Sequence, residues 1–448
     1  STGSGVQKCS PASGPAPASP TTRNDWPPPI RVGPMTLPLD DALVTGTFNI
    51  ADMAEQQRVR DLADSLLATG ATIAELDQRA RVPDTSIDVA LALKLASSRR
   101  HVIALDEPIA VTVVFAMWGE SRRLRPRAAD NPTGEHALHC KLDQLDWLFA
   151  ESVVSWSLVP VDDGDPEDSA AVATAQAASH PRGDRVTVLR LGDAIPAEDG
   201  PLAGLTDVDD SRKGGAMVLG AQHALAHGAD AMVLTDADNS VHLGQTGLLL
   251  GPFQARHAGA VIGDRKHPDA VLVKAEDRWG PGIVVLRHMQ RMVGRALFDQ
   301  GLRDTQAAFK LYGRPALEAI LAAPSTFGFA FDSDWLYATV ASGATIERVP
   351  FAFIDSFEES ASLAQGPMTT WESLLKGLVA AARARGADHD EEMAAVVDDF
   401  ADAATLDKVI TRVPAALAGA ADADLGQRAT MTPADLRAWL EAVDQPAD

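Results

Sequence analysis

The spacing of apolar residues divides the chain into three stretches of different rhythm. From residue 35 to 105 apolar positions recur every three or four residues. "NIADMAEQQRVRDLADSLLATG" (49–70) predicts a helix closed by Gly70, and "TIAELDQRA" and "SIDVALALKLASS" continue the pattern. At residue 106 the period shortens. "IAVTVVFAMW" (109–118), "VVSWSLVPVDDGD" (153–165), "RVTVLRLG" (185–192) and "ADAMVLTDAD" (229–238) predict strands, with helical stretches such as "GGAMVLGAQHALAHG" (214–228) between them. Alternating strands and helices predict an α/β domain over 106–355, built on a mostly parallel sheet with helices on both faces. From 356 to 448 the helical period returns, in "MTTWESLLKGLVAAARARG", "HDEEMAAVVDDFADAA" and "TPADLRAWLEAV". The two helical extensions, 35–105 and 356–448, are expected to pack on the core and to support a homodimer. Residues 1–34, rich in Pro, Ser and Gly, are expected to be a disordered arm.

Each polar cluster with chemical potential falls where an apolar run ends. In open α/β sheets, ligands bind at the carboxyl ends of the strands. "TDADNS" sets Asp236 and Asp238 one residue apart. Two such carboxylates can converge on magnesium or manganese, which take a few carboxylate oxygens together with phosphate and water. The same turn can also simply cap a helix. "LVPVDDGDPEDSAA" brings Asp162 and Asp163 to another strand end, where a carboxylate can accept a nucleotide base N–H or hold a turn. "SRKGGA" places Arg212 and Lys213 before two glycines at a helix start, a combination that can hold a diphosphate or form an ordinary basic helix start. "GLRDTQAAFKLYGR" carries Asp304, and "FGFAFDSDWLYATVASG" sets Asp332 and Asp334 among aromatics. Partly apolar surroundings raise a carboxyl toward the range of a general base, although either Asp could cap the helix instead.

Charge narrows the classes. The formal net charge is −23 and the sequence pI about 4.8. That argues against broad nucleic-acid binding and against charge-driven docking on anionic lipid, and it requires any anionic substrate to meet a local basic pocket. No run of about 18 apolar residues is present, so no membrane span is expected. Two cysteines, Cys9 in the Pro/Ser/Ala stretch and Cys140, make a structural disulfide unexpected and point to the cytoplasm.

In order and spacing the clusters resemble the family-2 glycosyltransferases, most closely the dolichol- or polyprenyl-phosphate mannosyl- and glucosyltransferase branch. "VTVVFAMWGE" resembles the family's opening strand, with Glu120 in its Glu position. "VPVDDGDPEDS" resembles "VVDDGSxDxT", "SRKGGA" resembles "NxGKGGA", and "VLTDADNS" resembles the metal-binding "DADL" segment. "AVIGDRKHP", "RDTQAAFKLYGR" and "FGFAFDSDWL" resemble "VVIGSRY", "DxxSGFKLxRR" and "GFxFDxEWL". The likeness spans about Val111 to Asp355.

The resemblance implies a GT-A fold, a Rossmann-like nucleotide-diphospho-sugar transferase sheet, and an inverting sugar transfer. It implies that Glu120 and Asp162 or Asp163 face the nucleoside of a UDP- or GDP-sugar. Lys213, with Arg212, lies near the donor phosphates, and Arg265 is a further phosphate contact. Asp236 and Asp238 hold a divalent cation, and Asp304, Asp332 and Asp334 face the acceptor and sugar, with Asp334 as base and Asp332 in reserve.

This sequence departs from the pattern in "AAF" for "SGF", in "DADNS", and in two inserts, "SRRLRPRAADNPTGEHALHCKLDQLDW" and "DAIPAEDGPLAGLTDVDD". With no basic amphipathic helix to lie on lipid, a small polar metabolite or natural-product intermediate is the expected acceptor. The alternatives are a retaining transferase like the glucosyl-phosphoglycerate synthases, a polyprenyl-phosphate transferase, a sugar-1-phosphate nucleotidyltransferase and a non-catalytic scaffold. The Gly-rich loop of the nucleotidyltransferases is missing after the first strand.

Overall fold

In a computed structural model, residues 37–273, 280–355 and 367–444 are described. The first helical stretch forms α1 (Met53–Ala68), α2 (Ile73–Ala80) and α3 (Ile87–Ile103). Asp52 caps α1 by accepting from the Ala54 and Glu55 amides, and Gly70, at φ +79°, closes it. Thr72 and Glu75 form a reciprocal capping box on α2. The expected arm, residues 1–34, and its Cys9 lie outside the described residues.

The alternating stretch follows as β1 (Ile109–Met117), α4 (Ser121–Leu124), α5 (Ala137–Phe149), β2 (Val154–Asp162), α6 (Ser169–Ala178), β3 (Leu189–Arg190), α7 (Gly214–Ala226), β4 (Ala231–Thr235), α8 (Thr246–Arg256), β5 (Ala260–Gly263) and β6 (Val271–Val273). It continues through α9 (Ile283–Val293), α10 (Arg295–Phe298), β7 (Phe309–Gly313), α11 (Arg314–Leu321), α12 (Phe331–Ala341), β8 (Ile346–Val349) and β9 (Ala352–Ile354). The last helices are α13 (Pro367–Ala384), α14 (Glu391–Phe400), α15 (Ala403–Val409) and α16 (Pro433–Asp444).

Seven strands form one sheet in the order β3-β2-β1-β4-β7-β5-β8, and β6 pairs with β9 separately. β7 runs antiparallel to both of its neighbours, and every other pairing is parallel. The expected mostly parallel, Rossmann-like α/β sheet is therefore observed. The expected strand over 185–192 shrinks to the two-residue β3 and an isolated bridge at Val186, because 3₁₀ turns at Gly183–Arg185 and Leu191–Asp193 bracket it.

The register pairs Met117 with Asp162 and Val114 with Leu234. The segments after β1, β2 and β4 thus leave the sheet at one edge, and the strand order reverses between β1 and β4. The near-continuous apolar runs of β1 and β4 fit strands covered on both faces. One apolar cluster joins that face of the sheet to α7, α9, α12 and the C-terminal helices; a second lies under α5 and α8, and a third within α1–α3. Among the described residues no helix is long and apolar enough to cross a membrane.

Close seating of α7 on β1 depends on Gly220, where an added Cβ would lie 2.3 Å from a Val114 methyl. Gly220→Leu is expected to destabilise by about 1–3 kcal/mol through overpacking. The urea midpoint should fall at constant slope; an unchanged midpoint would contradict this packing.

Candidate active site

The segment after β4 supplies Asp236 and Asp238, both with partial solvent access. Beside them Lys213 stands at the start of α7 with φ +71°, a left-handed conformation that costs energy for any residue with a Cβ. A latch holds it there. Asp163, just past β2, accepts the Ser211 hydroxyl and the Lys213 amide, the latter at 2.6 Å. The Arg212 and Gly214 amides donate to the Phe327 carbonyl at 2.8 and 3.0 Å. Gly214 has no space for a side chain, since a Cβ would lie 2.6 Å from the Phe327 backbone. The Lys213 ammonium, so aimed, forms an ion pair with Asp236.

Charge in this recess is strongly coupled. Burial pushes the Asp236 carboxyl up, but Lys213, Arg265 and Lys141 outweigh it and hold the group below its ordinary range. Asp238 is pushed up to about 6 by burial and by the charges of Asp236 and Glu135. Burial lifts Asp163 to about 6 and Glu120 to about 7, the latter partly offset by its ion pair with Arg123.

The insert between β1 and β2 buttresses the Asp-x-Asp turn. Arg123 bridges Glu120 and Glu135. Glu135, 1% exposed, accepts the Asn239 amide at 2.9 Å, and its carbonyl accepts the Asn239 side chain at 3.0 Å. Lys141, fully buried, donates to the Asp238 carbonyl and lies over the Phe115 ring. The N-terminal extension adds to this support: Gln144 donates to Gln56 at 2.9 Å and accepts the Leu243 amide at 2.7 Å.

On the far side of Asp236 three carboxylates sit in ion pairs. Arg265, after β5, holds Asp304 with two side-chain bonds of 2.7 Å and an amide bond of 3.0 Å. Burial would raise Asp304, yet Arg265 holds it at about 2. Lys310 on β7, with no solvent exposure, donates to Asp332 at 2.6 Å. Asp334 accepts from Arg385 at 2.8 and 3.0 Å and from the Ser325 amide and hydroxyl at 3.1 and 2.6 Å.

The structure therefore brings Lys213, Asp236, Asp238, Arg265, Asp304 and Asp332 within electrostatic reach of one another. Three expectations change. Arg212 is exposed and donates to its own loop carbonyls, Asp209 at 2.6 Å and Ser211 at 2.7 Å, instead of reaching Asp236. Asp163 turns inward as the latch. Asp334, expected as the base, has a side chain with no exposure and clasps α12 to the end of α13, so it has no open oxygen with which to take a proton.

Asp162 holds the turn after β2 through one oxygen, which accepts the Gly164 and Asp165 amides. Its other oxygen is buried without a hydrogen bond, with Arg190 3.6 Å away. Neither Asp332 nor Asp334 caps α12, which has no side-chain cap. Sequence reasoning missed Glu135, Lys141 and Lys310. The first two lie in what reads as an insert, and the third sits inside a motif whose acidic residue drew attention.

Asp236 and Asp238 fit a divalent cation, because such an ion would offset both the burial and the mutual repulsion that lift Asp238. Among the described residues no group of three or more His, Cys, Asp or Glu is arranged to hold a metal alone. The remaining ligands would be diphosphate and water oxygens, as magnesium and manganese accept.

No family model matches the chain. An undecaprenyl-phosphate mannosyltransferase of Micrococcus luteus is 29% identical over 164 residues, which are 36% of this chain and 65% of that protein. The chain thus spans about two thirds of the length of this relative. Among solved structures, mannosyl-3-phosphoglycerate synthase from Rubrobacter xylanophilus aligns with a TM-score of 0.44 at 16% identity, over 65% of this chain and 78% of that one. Glucosyl-3-phosphoglycerate synthase from Mycobacterium tuberculosis, in complex with Mn²⁺, UDP-glucose and phosphoglyceric acid, aligns with a TM-score of 0.42 at 13% identity, over 66% and 85%.

Two outcomes follow from the geometry. Arg385→Ala leaves Asp334 charged, buried and without its guanidinium, at a cost of about 3–5 kcal/mol; an unfolding midpoint equal to the wild type would contradict the clasp. Glu120 keeps its proton in the folded state up to about pH 7 against an ordinary 4.5. Its contribution to stability is full at low pH and is lost as pH rises through 7. Glu120→Gln should therefore gain stability relative to wild type across that window, and a pH-independent difference in urea unfolding would contradict the assignment.

Proposed function

We propose that the chain is a glycosyltransferase of the GT-A, family-2 type, moving a hexosyl group from a nucleotide-diphospho-sugar to a small polar acceptor. The observation that carries this reading is Lys213, held by a strained latch and aimed at Asp236 where strand order reverses. A cation fixed beside paired carboxylates, at a glycine-started helix, suits a diphosphate. The partial likeness to an undecaprenyl-phosphate mannosyltransferase supports the same class. The unsatisfied oxygen of Asp162 supports a nucleoside at the end of β2, where it would accept a base N–H.

In this reading the donor's C1–O bond breaks as the sugar becomes cation-like and the diphosphate leaves. Lys213 exchanges Asp236 for a diphosphate oxygen, and Arg265, kept rigid by Asp304, adds a second positive charge beside it. A magnesium or manganese ion on Asp236 and Asp238 would neutralise charge on the leaving diphosphate. Lys310 fixes Asp332 through one oxygen, and the other takes the proton of the acceptor hydroxyl, giving inversion.

A second reading is retention. It is favoured by the ion pairs that engage Asp304, Asp332 and Asp334, since a front-side transfer needs no protein base. NMR of the product anomer separates the two.

A thermal-shift series with UDP- and GDP-sugars, with and without manganese, is expected to give a donor-specific rise. A ligand at a hundred times its dissociation constant stabilises by about 2.7 kcal/mol. Lys213→Ala should lower transfer by about 10²–10³-fold, and Asp236→Ala should abolish the manganese-dependent part of the shift. Normal transfer in both variants would overturn the assignment.

A further inference from the structure

The insert after β1 brings three imidazoles together where α5 starts. His136 and His139 stack with ring centroids 3.9 Å apart, and His180, just past α6, meets His139 edge-on at 4.8 Å. Hydrogen bonds fix where the protons sit. His139 Nε2 donates to the Gln176 carbonyl at 3.0 Å, since a carbonyl only accepts, and His136 Nε2 lies 3.0 Å from the Gln176 side-chain oxygen. His180 Nδ1 accepts the Arg182 amide at 3.0 Å, which leaves its proton on Nε2, facing Asp143 at 3.1 Å. His180 is thereby neutral, and a proton added at Nδ1 would point at the Arg182 N–H.

The surroundings resist further charge. α5 itself supplies Asp143, and α6 supplies Gln176 and Ser179, whose hydroxyl lies 3.1 Å from His139 Nε2. Beyond α6 stands Arg182, its guanidinium held by Asp146 at 2.7 Å. After α4, the Arg125 carbonyl accepts the His136 amide at 3.0 Å, while the Arg125 guanidinium bonds the Ser121 carbonyl. Among the described residues Asp143 is the one carboxylate in an ion pair with the three rings. Burial holds His136 and His139 below the ordinary 6.5, helped by the neighbouring rings and opposed by Gln176 and Asp143. Both also lie at the start of α5, where the helix dipole disfavours a cation.

The stack stands directly behind the turn after β4. His136, at φ +49°, follows Glu135, whose carboxylate and carbonyl both hold Asn239. Two residues past His139, Lys141 donates to the Asp238 carbonyl. The start of α5 therefore carries both grips on the Asp-x-Asp turn.

We propose that the imidazole stack is an acid-sensitive clasp: with its rings neutral it seats the start of α5 against α6 and steadies the Asp236–Asp238 turn, and protonation drives the rings apart and loosens that turn. The inference goes beyond the transferase reading and holds whatever the turn binds. Because the folded rings resist protons, the unfolded chain takes them up first. Stability is full above the ordinary imidazole value of 6.5 and falls as pH drops below it.

The test follows urea unfolding of the full chain from about pH 7.5 to about pH 5, read as the difference between wild type and variant so that the carboxylates cancel. His139→Gln keeps a donor for the Gln176 carbonyl and cannot take the proton. Below pH 6.5 the wild type should lose about tenfold or more in folding equilibrium constant relative to this variant. His136→Asn, whose side chain tolerates the left-handed backbone, should give the same result. Asp143→Asn removes the countercharge and should deepen the loss. Hydrogen exchange, corrected for intrinsic rate, should show residues 235–243 losing protection in acid in the wild type and keeping it in His139→Gln.

A pH-independent difference between wild type and both histidine variants would overturn the clasp. So would an acid loss that Asp143→Asn leaves unchanged. Full protection of residues 235–243 at pH 5 in a destabilised wild type would break the link to the turn. Absence of nucleotide-sugar binding would sink the transferase reading and leave the clasp standing.

Discussion

The arrangement of the site depends on one buried carboxylate. Asp163 accepts the amide of Lys213 and the hydroxyl of Ser211, and so ties the end of β2 to the start of α7. Without that tie Lys213 would lose the bond that its own amide makes, and its ammonium would be less firmly fixed beside Asp236. The Phe327 carbonyl completes the restraint from the other side by accepting two amides of the same loop. Backbone strain at Lys213 is therefore held in place by two separate segments, the end of β2 and the Phe327 loop. A cation restrained in this way need not reorganise when negative charge develops nearby, which is the physical basis of electrostatic catalysis.

The segments outside the sheet serve the same recess. Glu135 and Lys141, from the insert after β1, grip the backbone of Asn239 and Asp238. Gln56 and Gln144 carry that support back to α1. The C-terminal helices reach the opposite side through Arg385 on Asp334 and Asp422 on Arg291. Each contact pairs a charge or amide that would otherwise be buried without a partner, so the extensions contribute to the site through electrostatics as well as packing.

Much of this was legible in the sequence. The period change at residue 106 located the sheet, because strands covered on both faces must be apolar throughout, and β1 and β4 appear where those runs stand. Asp236, Asp238 and Lys213 were found because polar residues directly after such runs have few purposes. What escaped was whatever depended on long-range pairing. Asp334 reads like Asp332 along the chain, and only Arg385, 51 residues later, reveals it as a clasp. Arg212 and Lys213 are equivalent in sequence, and the turn of one backbone separates them. Lys141 and Glu135 carry no local motif, since their purpose is set by a turn about a hundred residues away.

The central claim is that a nucleotide diphosphate replaces Asp236 as the partner of Lys213 in the recess between β1 and β4. A crystal structure with manganese and the diphosphate of whichever nucleotide stabilises the protein tests it most directly. The account predicts the Lys213 ammonium on a diphosphate oxygen, the metal between that diphosphate and the carboxylates of Asp236 and Asp238, and the Asp163 latch unchanged. A nucleotide bound elsewhere, with the Lys213–Asp236 ion pair intact, would contradict it.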